Sequence, residues 1–133
     1  MSEKQKLLIV DDSELNRDIL KEILGSSYDY LEAENGTQAI QILEVHPEID
    51  LMLLDINMPQ MNGFQVLEHM RELQWIDEVP VVMISSEESV EIMRKAYDLG
   101  ITDYISRPFD AVIVKKRVQN TLGLYANQKR LIN

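Results

Sequence analysis

The chain contains no cysteine, which excludes a disulfide framework and any thiolate metal site and fits a reducing compartment such as the cytosol. Proline and glycine are sparse, at four and five residues, and 45% of the residues are apolar, a composition that supports a packed core and argues against disorder. No apolar run approaches the roughly 18 residues that a membrane-spanning helix needs. The start, Met1-Ser2-Glu3-Lys4-Gln5-Lys6, has no apolar stretch before a cleavage site and does not read as a signal peptide. Basic residues are outnumbered 13 to 23, and a net charge of −10 argues against nucleic acid as a direct partner, because such a surface repels a phosphate backbone. Most of that acidity reads as solvated surface and part of it as a cation site. A length of 133 residues suits one domain.

What is present is a regular alternation. Short apolar runs at 6–10, 28–33, 50–54, 80–85 and 103–106 read as strands. Amphipathic segments at 14–24, 36–45, 62–73, 89–99 and 111–122 read as helices. Five strand–helix units predict an α/β domain, a single five-stranded parallel sheet with five helices on both faces. The punctuation agrees: Asp12 or Ser13 caps the first helix, Gly25 and Gly100 close the first and fourth, and Asp110 caps the fifth. Pro47 stops the second helix, and Pro59 and Gly63 bracket the loop after the third strand. The domain is expected over 1–124, with 125–133 a helical extension or the start of a linker.

Two of the strand runs stop on acid: Leu7-Leu8-Ile9-Val10-Asp11-Asp12 and Leu51-Met52-Leu53-Leu54-Asp55. In an open α/β sheet, ligands bind outside the carboxyl ends of the strands. That edge should gather Asp11, Asp12 and Asp55 with Ser85 from the fourth strand and Arg107 from the fifth. Three carboxylates so placed repel unless a cation neutralises them or one of them is used chemically. No glycine-rich phosphate loop follows the first strand, which excludes the nucleotide fingerprints. Hard carboxylate oxygens suit Mg²⁺. A carboxylate beside Mg²⁺ can act as nucleophile on phosphorus and give an aspartyl phosphate, with Ser85 and Arg107 helping to position and neutralise.

In this order the motifs resemble those of the receiver domains of two-component response regulators, over about residues 6–124. Asp11-Asp12 resembles the family's acidic pair, and Asp55-Ile56-Asn57-Met58-Pro59 with Gly63 its phosphoacceptor loop. Ser85 falls where the family has Ser or Thr, Tyr104 at its aromatic switch position, and Arg107-Pro108-Phe109 on its Lys-Pro-Phe. The resemblance implies a flavodoxin-like fold with strand order 2-1-3-4-5. It implies that Asp55 accepts a phosphoryl group from a histidine kinase or phosphotransfer protein in the cytoplasm. Asp12, Asp55 and the Asn57 carbonyl would bind Mg²⁺ with Asp11 assisting, while Ser85 and Tyr104 carry the switch. It allows a cis Arg107–Pro108 bond. It also implies an attached output domain or partner, and a homodimer through the fourth helix, last strand and fifth helix. Such a domain is regulatory and not an enzyme, although it assists its own phosphorylation and dephosphorylation.

Arg107 is the main departure, because the family nearly always has Lys there and a planar fork is not a point charge. It motivates an alternative reading, a pseudo-receiver that binds proteins without switching. A phosphatase using an aspartyl phosphate is a third reading, weakened because Asn57, and not an acid, stands two residues after Asp55. Ser86 replaces the usual Ala, and Glu14 and Asn57 stand where this family tunes autodephosphorylation. Other features read as structural. His46 and His69 are taken as unpartnered surface residues, Trp75 as a local cover, Met58 and Met61 as loop packing, and Lys115-Lys116-Arg117 as a solvated helix face.

Overall fold

The computed structural model describes residues 4–58, 61–86 and 89–132, with side chains through residue 125. Strands and helices alternate as β1 (Gln5–Val10), α1 (Glu14–Leu24), β2 (Tyr28–Ala33), α2 (Gly36–Val45) and β3 (Leu51–Asp55). They continue as α3 (Gly63–Glu72), β4 (Val81–Ser85), α4 (Val90–Asp98), β5 (Asp103–Ser106) and α5 (Ala111–Ile132). All strand pairs are parallel, in the order β2-β1-β3-β4-β5. The strand order and the flavodoxin-like fold are those expected.

Alternation along the central strands makes two cores. Leu8, Val10, Met52, Leu54, Val81 and Met83 pack with Ala39 and Leu43 of α2, Val66, Leu67 and Met70 of α3, and Ala96 of α4. Leu7, Ile9, Leu51, Leu53, Val82, Ile84 and Ile105 pack with Leu20 and Leu24 of α1 and Val114, Val118 and Leu122 of α5. Both faces of β1, β3 and β4 are therefore covered, which is why these runs are apolar throughout. Each such buried Leu, Ile or Val contributes about 1.5–3 kcal/mol.

Local chemistry sets the boundaries. Ser13, not Asp12, caps α1, its Oγ accepting from the Asn16 N–H at 3.2 Å. Asn62 and Gln65 form a capping box, so α3 begins at Gly63, one residue later than expected. Asp110 Oδ1 accepts from the Ile113 N–H at 3.1 Å and starts α5. Gly100 takes φ +110° after α4, a turn that a side chain would strain. β3 opens at Leu51, just after Asp50 turns its carboxylate to the Lys6 N–H at 2.8 Å, and Asp55 is the last residue of the strand.

Helix α5 runs ten residues past Leu122, through the stretch expected as a helical extension or the start of a linker, since 123–132 contains Ala, Gln, Lys, Arg and Leu and no proline. The expected loop residue Pro59 and the side chains of Lys129 and Arg130 lie outside the described residues. Trp75 packs against the α2–α3–α4 core, as do Met58 and Met61. Two surface readings are corrected. His46 is half-buried, with Nδ1 2.9 Å from the Glu48 carboxylate, which also takes Lys6 Nζ at 2.9 Å. Arg117 is drawn from the basic run onto β5, its Nη1 donating to the Tyr104 carbonyl and lying 3.9 Å from Asp103. His69, Lys115 and Lys116 are exposed, as expected.

Candidate functional site

Parity along the strands decides which side chains meet. Asp11 continues the series Leu7, Ile9; Asp55 continues Leu51, Leu53; and Arg107 continues Ile105. All three therefore emerge at the carboxyl edge on the α1–α5 side. Asp11, Asp12 and Asp55 each place a carboxylate oxygen within 4.8 Å of the others. Asp11 and Asp55 are 0% and 1% exposed, while Asp12 faces solvent. Ser85 continues the parity of Val81 and Met83, and Tyr104 pairs with Met83, so both belong to the opposite side of the sheet. Ser85 is fully buried, and Tyr104 lies within the α2–α3–α4 core. The Ser85 carbonyl accepts from the Arg107 N–H at 3.0 Å, which ties the fourth strand to the start of the Arg107 loop.

The backbone fixes the acids. Asp11 N–H donates to the Ala33 carbonyl at 3.1 Å, and Asp11 Oδ1 accepts from the Ser13 N–H at 2.9 Å. Asp55 Oδ1 accepts from the Asn57 N–H at 3.3 Å, a bond that folds the loop back over the strand end and leaves Asn57 exposed. Gly63 permits this fold: a Cβ there would stand 2.6 Å from the Asp55 carbonyl oxygen and 2.9 Å from Ile56 Cα.

Electrostatics follow from burial. Desolvation raises the Asp11 carboxyl above the ordinary carboxylate range, against the opposing effects of the Ser13 N–H and Arg107. Desolvation, and then the Asp11 charge, push Asp55 up to about 6, while Arg107 and the Asn57 N–H pull it down. Arg107 is the cation of the cluster. Its Nη2 donates to Asp11 Oδ2 and lies 3.4 Å from Asp55 Oδ1. Its guanidinium sits 5.9 Å from the centre of the Phe109 ring, and the Arg107–Pro108 peptide is cis.

Sequence reasoning missed Arg17. It is 7% exposed; Nη1 donates to the Asp11 carbonyl at 2.6 Å and Nε to Glu32 at 2.9 Å. Glu32 in turn takes Lys21 Nζ at 2.8 Å. A guanidinium therefore holds the peptide that joins the two N-terminal acids. The available signal was positional: Arg17 shares the buried face of α1 with Leu20 and Leu24, where an apolar residue is expected.

This arrangement gathers hard carboxylate oxygens that can hold a divalent cation, and it can present a buried carboxylate as a nucleophile. The sequence matches the family described as response regulator receiver domain over residues 7–119. It is 32% identical over 120 residues to a chemotaxis protein CheY homolog of Campylobacter jejuni, covering 89% of this chain and 92% of that protein. It is also 32% identical over 127 residues to a probable cyclic di-GMP phosphodiesterase of Vibrio cholerae, covering 96% of this chain but only 29% of that protein. Among solved structures, the signal receiver domain of a putative LuxO repressor protein from Vibrio parahaemolyticus superposes with a TM-score of 0.88 at 25% identity, covering 98% of each chain. With its acids on the strand ends that the fold reserves for ligands, the chain belongs to the receiver domain family of two-component response regulators.

Proposed function

We propose that the chain is a Mg²⁺-dependent phosphoacceptor switch: Asp55 takes a phosphoryl group from the phosphohistidine of a cytoplasmic histidine kinase or phosphotransfer protein. The observation that carries this reading is the meeting of three carboxylates and one guanidinium at the carboxyl edge of the central strands. The donors fit the metal, because every side-chain ligand is a hard oxygen and two of the three acids are buried and mutually repelling. Asp12, Asp55 and the Asn57 carbonyl would hold it, with Asp11 assisting. Bound there, Mg²⁺ supplies neutralisation of charge on the transferring group.

The chain's own residues do the rest. With Asp55 at about 6, its carboxylate is largely ionised at neutral pH and can serve as nucleophile. One Asp55 oxygen forms the O–P bond as the P–N bond of the phosphohistidine breaks, and the electron pair of that bond stays on the imidazole nitrogen. The Asn57 N–H, already bonded to Asp55 Oδ1, keeps the carboxylate oriented. Ser85, at the end of the fourth strand, and Arg107, just after the fifth, would stabilise the phosphoryl oxygens, Ser85 only after moving around the strand end. Movement of Ser85 toward the phosphoryl group and repacking of Tyr104 would pass the change to the surface of α4, β5 and α5. Exposed Val90 and Tyr97 on α4 support that face as the output or dimer surface, and sedimentation of the beryllofluoride-treated chain measures the dimer. The long Vibrio cholerae relative supports an attached output domain.

Acetyl phosphate with Mg²⁺ should add one phosphoryl mass to the intact chain, and Asp55→Asn should abolish the addition. Undiminished addition to the Asp55→Asn chain would overturn the assignment. One observation favours the pseudo-receiver alternative: Arg107 already engages Asp11 and Asp55. Beryllofluoride separates the two readings. Amide shift changes that reach Tyr104 and α5 support switching, and an unchanged spectrum supports the pseudo-receiver.

A further inference from the structure

We propose that Arg107 and the divalent cation are exchange partners on Asp11, so that cation binding releases the Arg107 side chain. The inference rests on the cation site proposed above and concerns what this chain's arginine does there. The Arg107 Nη2 atom bonds Asp11 Oδ2 and stands 3.4 Å from Asp55 Oδ1, so a positive group already lies among the oxygens that would face a metal. The guanidinium is not held by full satisfaction of its donors. Arg107 Nε is buried and has no hydrogen-bond partner among the described residues, a pose with a desolvation cost. Attraction to the two buried acids offsets that cost, and a cation that neutralises them removes the reason for Arg107 to stay. Release costs Arg107 little, because its loop lies at the surface and its side chain is 22% exposed.

The arginine fork sets the strength of this hold. A lysine nitrogen occupies the position of the arginine Cζ, one bond short of Nη2, and lacks the second arm of the fork. It would keep the charge without the same hold on Asp11. Wild-type affinity for the cation is thus reduced by the hydrogen bond that must break, while a lysine variant is spared it.

The test is calorimetric titration of MgCl2 at constant ionic strength into the wild-type chain, Arg107→Lys and Arg107→Gln. Arg107 Nε–H is followed by ¹H–¹⁵N spectra of the wild type in the same titration. Arg107→Lys should bind Mg²⁺ about fivefold more tightly than wild type. Arg107→Gln, which also loses the repelling charge, should bind at least as tightly as the lysine variant. The Arg107 Nε–H signal should shift with the same midpoint as the binding heat. Equal affinities of wild type and Arg107→Lys with a stationary Nε–H signal would overturn the exchange and leave the cation site standing. No binding heat in any of the three chains would overturn the cation site and the exchange with it.

Discussion

Asp55 is a buried acid beside another buried acid, and its protonation is coupled to stability. Its carboxyl ionises near 3.8 in the unfolded chain and at about 6 in the folded one. Between those values the folded form holds a proton that the unfolded form has lost, so stability falls as pH rises through this window. Above it the full cost of the charge is present. Asp55→Asn should therefore raise the unfolding free energy of the metal-free chain by about 1–3 kcal/mol at pH 7.5 and by little at pH 4. Urea denaturation at the two pH values in chelator measures this; equal effects at both would contradict it. The site acids were legible in the sequence because each one terminates an apolar run. Arg17 and Arg117 were not. Each donates to a backbone carbonyl, of Asp11 and of Tyr104, and a carbonyl is the same group whatever residue bears it. Parity adds a point that motif matching does not supply: Ser85 and Tyr104 lie across the sheet from the acids, so any signal between them passes through the strand ends.

Elements position these residues through a few local devices. Arg17 ties α1 to β2 through Glu32 and to the end of β1 through the Asp11 carbonyl. Arg17→Met preserves bulk but leaves that carbonyl without its guanidinium donor and Glu32 with Lys21 alone. It should cost about 1–3 kcal/mol in stability and also weaken Mg²⁺ binding, because the peptide between Asp11 and Asp12 loses its anchor. Calorimetric titration separates the two effects, and unchanged Mg²⁺ affinity would limit Arg17 to a folding role. The Asn62–Gln65 capping box starts α3 just after the Asp55 loop. Asn62→Ala should cost about 1 kcal/mol of stability by thermal unfolding. Gly63→Ala should cost more, about 1–3 kcal/mol, because the added carbon meets the Asp55 carbonyl and Ile56 backbone. Helix positions were readable from periodicity and caps. Two of the boundaries that moved, at Leu51 and Gly63, lie beside side-chain-to-backbone bonds of Asp50 and Asn62, and apolar spacing does not encode these.

At the scale of the molecule, one parallel sheet with two separate cores holds a charged edge between apolar layers. Among the described side chains, the last that α5 buries in its core is Leu122. Truncation after Leu124 should therefore change stability by less than about 1 kcal/mol, as measured by denaturant midpoint, and a large loss would show that the extended end of α5 belongs to the folding unit. The stretch past Leu122 was legible only as helix or linker, because a glycine such as Gly123 weakens a helix interior without ending it. Everything proposed for the molecule depends on which acid forms the bond to phosphorus. Borohydride reduction of the chain after treatment with acetyl phosphate and Mg²⁺ converts an aspartyl phosphate to homoserine, and peptide mass mapping locates it. Homoserine at position 55 alone is the predicted result. Homoserine at position 11 or 12, or an unmodified chain from fully folded and Mg²⁺-loaded protein, would contradict it.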